Sequence, residues 1–127
     1  MSRFLWICLG GAAGTGARYL LSVWLLLQLG TGFPWGTLAV NVIGSFLLGS
    51  IMHVAMATNL LAPTARLALT TGLMGGFTTY SSFNHETLTY LRGGAWRMAL
   101  LYVAATLFVC LAAGIAGLAA ARWFAGA

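Results

Sequence analysis

The stretch from Gly72 to Glu86 gathers Gly75, Gly76, Thr78, Thr79, Tyr80, Ser81, Ser82, Phe83 and the chain's only carboxylate, Glu86. Glycines at 72, 75 and 76 followed by two threonines predict two half-helices with a break between them. Carbonyl oxygens exposed at such a break suit a hard cation such as Na+. The hydroxyls that follow are donors, which suit an anion. Tyr80 and Phe83 stand three residues apart and share a helix face. Aromatics at that spacing ordinarily pack a core, but their ring edges carry partial positive charge and can face an anion that has lost water.

This polar stretch lies in a chain that is 61% hydrophobic and only 6% charged, with a mean hydropathy of +0.93. Soluble domains carry about 25% charged residues, so the composition is that of an integral membrane protein. A hydrocarbon core of roughly 30 Å takes about 20 apolar residues per helical crossing. Four such stretches fill residues 1–127 as one membrane domain, at about 4–29, 36–57, 67–91 and 95–123. Links at Gly30 to Trp35, Thr58 to Arg66 and Arg92 to Gly94 contain Gly or Pro and make neighbouring spans antiparallel. Trp6, Trp24, Trp35, Trp96 and Trp123 fall near span ends, where amphipathic rings favour the headgroup level. A cleaved signal peptide over Met1 to Ala17 is the weaker reading, because apolar character resumes at Tyr19 and runs to Leu29. Polar side chains at membrane depth are tolerated when buried in protein or lining a cavity, so the 72–86 stretch is read as a site.

The six basic residues are all arginines. With four spans, Arg3, Arg66 and Arg122 lie on one side and Arg92 and Arg97 on the other, a small bias for the positive-inside rule. Insertion in both orientations, giving an antiparallel pair, stands beside a fixed topology. The net charge of +5 is scattered over span ends, where anionic headgroups rather than nucleic acid are the partners.

Each remaining span contributes candidates. Gly10, Gly14 and Arg18 recur at four-residue spacing, and Gly44, Ser45 and Gly49 place small residues on neighbouring turns, which lets helices approach closely in lipid. Arg18 within a span needs a partner, a snorkelling route or water; it is read as lining an anion-attracting vestibule or as a packing anchor. Thr37, Asn41 and Ser45 share one face of the second span, and the Asn41 amide is either interhelical glue or a pair of donors to an anion. His53 is read as an interfacial residue and not a ligand. Tyr102, Thr106 and Cys110, followed by Gly114, form a donor-rich stripe on the fourth span. Threonine hydroxyls in membrane helices often bond back to their own helix, which is the alternative for Thr106. Cys8 and Cys110 are expected to be small buried thiols.

Together, Gly10, Gly14, Arg18 and Tyr19, then Pro34, Trp35, Gly36, Thr37, Leu38, Val40 and Asn41, and above all Gly72, Gly75, Gly76, Thr78, Thr79, Tyr80, Ser81, Ser82, Phe83 and Glu86, resemble small bacterial fluoride channels, the CrcB or Fluc family. The resemblance covers nearly the whole chain. It implies an all-α membrane protein of four transmembrane helices, the third broken, assembled as an antiparallel dual-topology homodimer with two fluoride pathways. It implies a structural Na+, not transported, held by the backbone carbonyls of Gly75 and Thr78, and fluoride coordination by Asn41 and the ring edges of Tyr80 and Phe83. Ser81, Tyr102, Thr106 and Cys110 extend that pathway. Tyr80 departs from the family's usual Phe, Ser82 from a usual Thr and Asn84 from a usual Ser.

The expected activity is passive, fluoride-selective export across the cytoplasmic (inner) membrane by a multi-pass channel that is not an enzyme. Fluoride holds water tightly, so its pore must substitute donors at close spacing. A proton-coupled exporter of cations, like the small multidrug transporters, is the alternative, but those resemble antiporters with a carboxylate in the first span and none stands there.

Overall fold

A computed structural model describes residues 1–58 and 60–125. Asn59, in the expected second link, and residues 126–127 lie outside the described residues. The chain is all helical, with no strand among the described residues: α1 (Ser2–Leu29), α2 (Trp35–Ala57), α3 (Pro63–Leu67), a π-helical segment (Ala68–Met74), α4 (Gly75–Phe77), α5 (Tyr80–Arg92) and α6 (Trp96–Ala125). α3, the π segment and α4 follow one another without interruption, so residues 63–77 form a single rod. Pro63 sits in the first turn of that rod, where its missing N–H and fixed φ start a helix well. The rod therefore begins four residues before the expected span.

Of the helices, α2 and residues 96–124 of α6 are long and apolar enough to cross a membrane. α1 spans 28 residues, but Gly10, Gly11, Gly14, Thr15, Gly16 and Arg18 dilute its apolar character. The third stretch is divided by its break. The exterior has the character of a lipid-facing surface. Phe4, Trp6, Leu27, Leu100, Phe108, Ile115 and Trp123 are all exposed, whereas among the described residues the buried apolar set is limited to Val40, Met74, Phe77, Ala99, Tyr102 and Ala121. Contiguous apolar surface on this scale is not sustained by a soluble monomer. Cys8, expected to be buried, lies exposed on the outer face of α1, while Cys110 is half-buried; both are free thiols.

Glycines bring backbones into contact in two places. Along α1, a Cβ on Gly10 would meet the Ala68 carbonyl, one on Gly14 the Leu73 carbonyl, and one on Gly76 the Gly11 carbonyl. Along α2 and α6, a Cβ on Gly49 would meet the Gly114 carbonyl and one on Gly117 the Phe46 carbonyl. Gly72, Gly75 and Gly76, expected to make the break, are themselves helical, and Gly72 and Gly76 serve close packing against α1. The Ser50 hydroxyl donates to the Gly117 carbonyl at 2.9 Å. Thr37, thirteen residues before Ser50 on α2, and Tyr102, fifteen residues before Gly117 on α6, converge on Glu86. Both helices thus advance in the same direction, and α2 and α6 are parallel.

This packing predicts a contrast between two neighbouring glycines. Gly14→Ala should cost at least the roughly 1–3 kcal/mol of overpacking, since the obstruction is backbone. The alanine at Gly16, where nothing lies within 4 Å, should be neutral. Thermal unfolding in detergent, followed by size-exclusion recovery, reads both.

Candidate functional site

The break is confined to Thr78 and Thr79. Thr78 has φ −82° and ψ 159°, and Thr79 has φ −151° and ψ 117°, so two extended residues separate α4 from α5. Asn41 of α2 meets the second of them squarely. Its Nδ2 donates to the Thr79 carbonyl at 3.0 Å, and its Oδ1 accepts the Thr79 N–H at 2.8 Å. A side-chain amide thereby replaces the helical partners that an extended residue gives up. The Thr79 hydroxyl then caps α5: it accepts the Ser82 N–H at 3.2 Å and donates to the Ser82 hydroxyl at 3.0 Å. The Ser81 hydroxyl lies 3.3 Å from the same oxygen.

Because the Thr79 N–H turns to Asn41, it does not return to the Gly75 carbonyl one turn back. The Thr78 carbonyl faces Arg18, whose Nη1 donates to it at 3.4 Å. That is long for a charge-assisted bond, which ordinarily closes to about 2.7–2.9 Å, so the carbonyl keeps a lone pair. The Thr15 hydroxyl lies 3.5 Å from the Gly76 carbonyl. Two carbonyls released at a helix break are hard oxygen donors of the kind Na+ accepts. Gly75 and Thr78 thus fit a cation in chemistry, although two oxygens from one chain are too few to complete its shell.

Glu86 of α5 is fully engaged. Thr37 of α2 donates to Oε1 at 2.7 Å, and Tyr102 of α6 donates to Oε2 at 2.6 Å. Tyr102 is completely buried and sits at the centre of an aromatic cluster. Its ring centroid is 5.3 Å from Phe33, 5.2 Å from Phe83 and 6.4 Å from Tyr90, each in an edge-on arrangement. Tyr80 lies 5.6 Å from Phe83 with its planes tilted by 55°, and is 77% exposed. Sequence reading missed Phe33 and Tyr90. The signal for Phe33 was its place in the first link beside Pro34, and for Tyr90 its position one helical turn beyond Glu86.

An open groove of about 1230 Å³ runs along α2 and α6 and past the break. Asn41, Ser45, Thr78, Thr79, Tyr80, Phe83, Thr106 and Cys110 line it, with Leu48, Met52, Leu107 and Leu111 among its apolar walls. Of the site candidates read from sequence, Ser81, Tyr102, Arg18 and Gly75 stand outside this lining: Ser81 on the Thr79 hydroxyl, Tyr102 beneath Phe83 at Glu86, Arg18 at the Thr78 carbonyl, and Gly75 at the start of α4. The Thr106 Oγ1 has no partner among the described residues, so it does not bond back to its own helix. The lining offers amide, hydroxyl and thiol donors, two aromatic rings and no carboxylate. Such a surface can strip water from a small anion and return donors in its place.

Residues 5–118 match the family described as CrcB-like protein, Camphor Resistance (CrcB). The fluoride-specific ion channel FluC of Sorangium cellulosum is 59% identical over 122 residues, covering 96% of each chain. That of Anaeromyxobacter dehalogenans is 52% identical over 126 residues, 99% of this chain and 100% of the relative. That of Geobacter sulfurreducens is 48% identical over 122 residues, 96% of this chain and 98% of the relative. The break, its asparagine clamp and the donor-lined groove therefore occur in a chain that aligns with these channels almost end to end, and the protein belongs to the CrcB family.

Proposed function

We propose that the chain is a fluoride-selective channel that lets fluoride leave the cytoplasm passively, down its electrochemical gradient. The observation that carries this reading is the convergence of Asn41, Tyr80, Phe83, Thr106 and Cys110 on one groove free of carboxylate. The names of the relatives, fluoride-specific ion channels, support the choice of ion. The protein is a transporter and not an enzyme.

In this reading the four helical stretches each cross the cell's inner membrane, and two chains of opposite orientation close each other's open grooves. Two arguments support such a pair. A groove open along one side would admit lipid beside the ion, and the six arginines are divided too evenly to fix one orientation. Asn41 keeps one Nδ2 proton beyond the bond it gives to Thr79 and offers it to the ion. Phe83 offers its ring edge, held in place by Tyr102 behind it. Tyr80, exposed in a single chain, offers both an edge and a hydroxyl. Beyond them Thr106 and Cys110 continue the donors along α6. Ser81 and Tyr102 act from beside the groove through Thr79 and Phe83, and Arg18 draws anions toward the break. The carbonyls of Gly75 and Thr78 would hold Na+, which would supply fixed positive charge beside the groove.

A proton-coupled cation exporter needs a carboxylate free to exchange a proton for its cargo. Glu86 is the sole acid, and both its oxygens accept hydroxyls.

Purified protein in vesicles should release fluoride without a proton gradient and should not exchange cations for protons. Phe83→Ile should elute as wild type yet release fluoride no faster than protein-free vesicles. Normal flux in that variant would remove the aromatic from the mechanism, and proton-dependent cation exchange by wild type would replace the channel with the exporter. Replacing Na+ with N-methylglucamine throughout purification should lower flux and dimer recovery, with both restored when Na+ returns; indifference to Na+ would exclude the Gly75 and Thr78 site.

A further inference from the structure

Ser45 lines the groove between α2 and α6, yet the route over Asn41, the aromatic pair and α6 gives it no part. Thr37 of α2 and Tyr102 of α6 meet on Glu86, so the parallel register brings together residues four later on each helix: Asn41 with Thr106, Ser45 with Cys110 and Gly49 with Gly114. Contacts at the later rungs agree. A Cβ on Gly49 would strike the Gly114 carbonyl, and the Ser45 hydroxyl neighbours the Cys110 thiol. Ser50, Thr58, Thr70, Thr87 and Thr89 each return their hydroxyl to the carbonyl four residues back. Among the described residues Ser45 makes no bond of that kind, and its Oγ remains open to the groove, whereas the Thr106 Oγ1 is shielded. The first hydroxyl on these two helices that an ion reaches beyond Asn41 is therefore that of Ser45, one turn or about 6 Å along α2. Past this rung the walls turn apolar, with Leu48, Met52, Ile115 and Leu118.

We propose that Ser45 is a fluoride-coordinating residue, which with the Cys110 thiol forms a donor pair spanning the groove one helical turn beyond Asn41. This inference rests on the channel reading and refines its route: the ion passes from an amide on α2 to a rung shared by both helices, with Thr106 standing behind the wall. A thiol is a weak donor, so the hydroxyl of Ser45 carries most of the contact. Conduction needs sites that hold the ion without trapping it. A single neutral O–H meets that condition, and the step of about 6 Å lets the amide and the hydroxyl hold the ion in turn. The apolar walls that follow make this rung the place where an ion exchanges its last donors on α2 and α6 for water. Packing between the helices is the work of the Ser45 backbone, whose carbonyl lies against Gly114, and leaves the side chain free for the ion.

Initial fluoride efflux from vesicles as a function of fluoride concentration tests the pair with the full chain. Ser45→Ala removes the hydroxyl and keeps the backbone contact, so it should elute as wild type and raise the half-saturating concentration about two- to tenfold, the loss of one neutral donor. In that background Cys110→Ser places a hydroxyl on the opposite wall at the same rung. The double variant should return to within about twofold of wild type, a rescue from another helix that a packing role for Ser45 does not predict. If the alanine variant does not elute as wild type, Ser45→Cys keeps the bulk with a weaker donor and should show a smaller rise in the same direction. Unchanged half-saturation in the Ser45 variants, or a rise that Cys110→Ser leaves in place, overturns the pair while leaving the channel intact. A wild-type chain that carries no fluoride overturns the channel reading itself.

Discussion

The pairing of the Asn41 side chain with both backbone groups of Thr79 is the constraint on which the rest of the site depends. Two extended residues in the middle of an apolar helical chain leave an N–H and a C=O without their helical partners, and in lipid each such group costs several kcal/mol. An asparagine amide carries a donor and an acceptor in one plane, so it can satisfy both at once. With Thr79 fixed in this way, its hydroxyl is positioned to cap α5 through Ser82. The start of α5 in turn sets where Tyr80 and Phe83 project and brings Glu86, two turns later, beneath Thr37 and Tyr102. The same interaction that stabilises the break therefore also places Tyr80 and Phe83 on the groove and keeps the single carboxylate out of it.

A second consequence follows for the backbone on the other side. Diverting the Thr79 N–H to Asn41 releases the Gly75 carbonyl, and the extended Thr78 turns its own carbonyl toward Arg18. One break thus offers oxygen acceptors on one side and donors on the other. This separation suits a site that deals with a cation and an anion within a few residues of each other without placing a fixed carboxylate near either. The glycine contacts of α1 with residues 63–77 and of α2 with α6 supply the rigidity that holds this arrangement, because backbone packed on backbone cannot relax by side-chain rotation.

Much of this was legible in the sequence, and the particular residues show why. The membrane class follows from composition, and the exposed apolar exterior agrees with it. The polar stretch from Gly72 to Glu86 marked the break because polar residues at that depth need a reason. The location of the break within it was not legible. Glycine permits a break but equally permits close helix packing, and Gly72 and Gly76 are used for the second, with a π-helical segment beginning at Ala68. Asn41 was legible as a polar residue in an apolar run, yet its choice of Thr79 as partner depends on contact between elements 38 residues apart in sequence. Tyr102 and Cys110 share a stripe by helical spacing, but only packing separates a tyrosine buried on Glu86 from a thiol facing the groove. Phe33 gave no periodic signal, since it lies in a link.

Solid-state nuclear magnetic resonance of uniformly 13C,15N-labelled protein in lipid bilayers addresses the clamp directly. The account predicts extended-type Cα and Cβ shifts at Thr78 and Thr79 between helical neighbours, and a cross-peak between the Asn41 side-chain nitrogen and the Thr79 carbonyl carbon, consistent with the 3.0 Å hydrogen bond. Helical shifts through Thr78 and Thr79, or an Asn41 amide with no contact to Thr79, would contradict it.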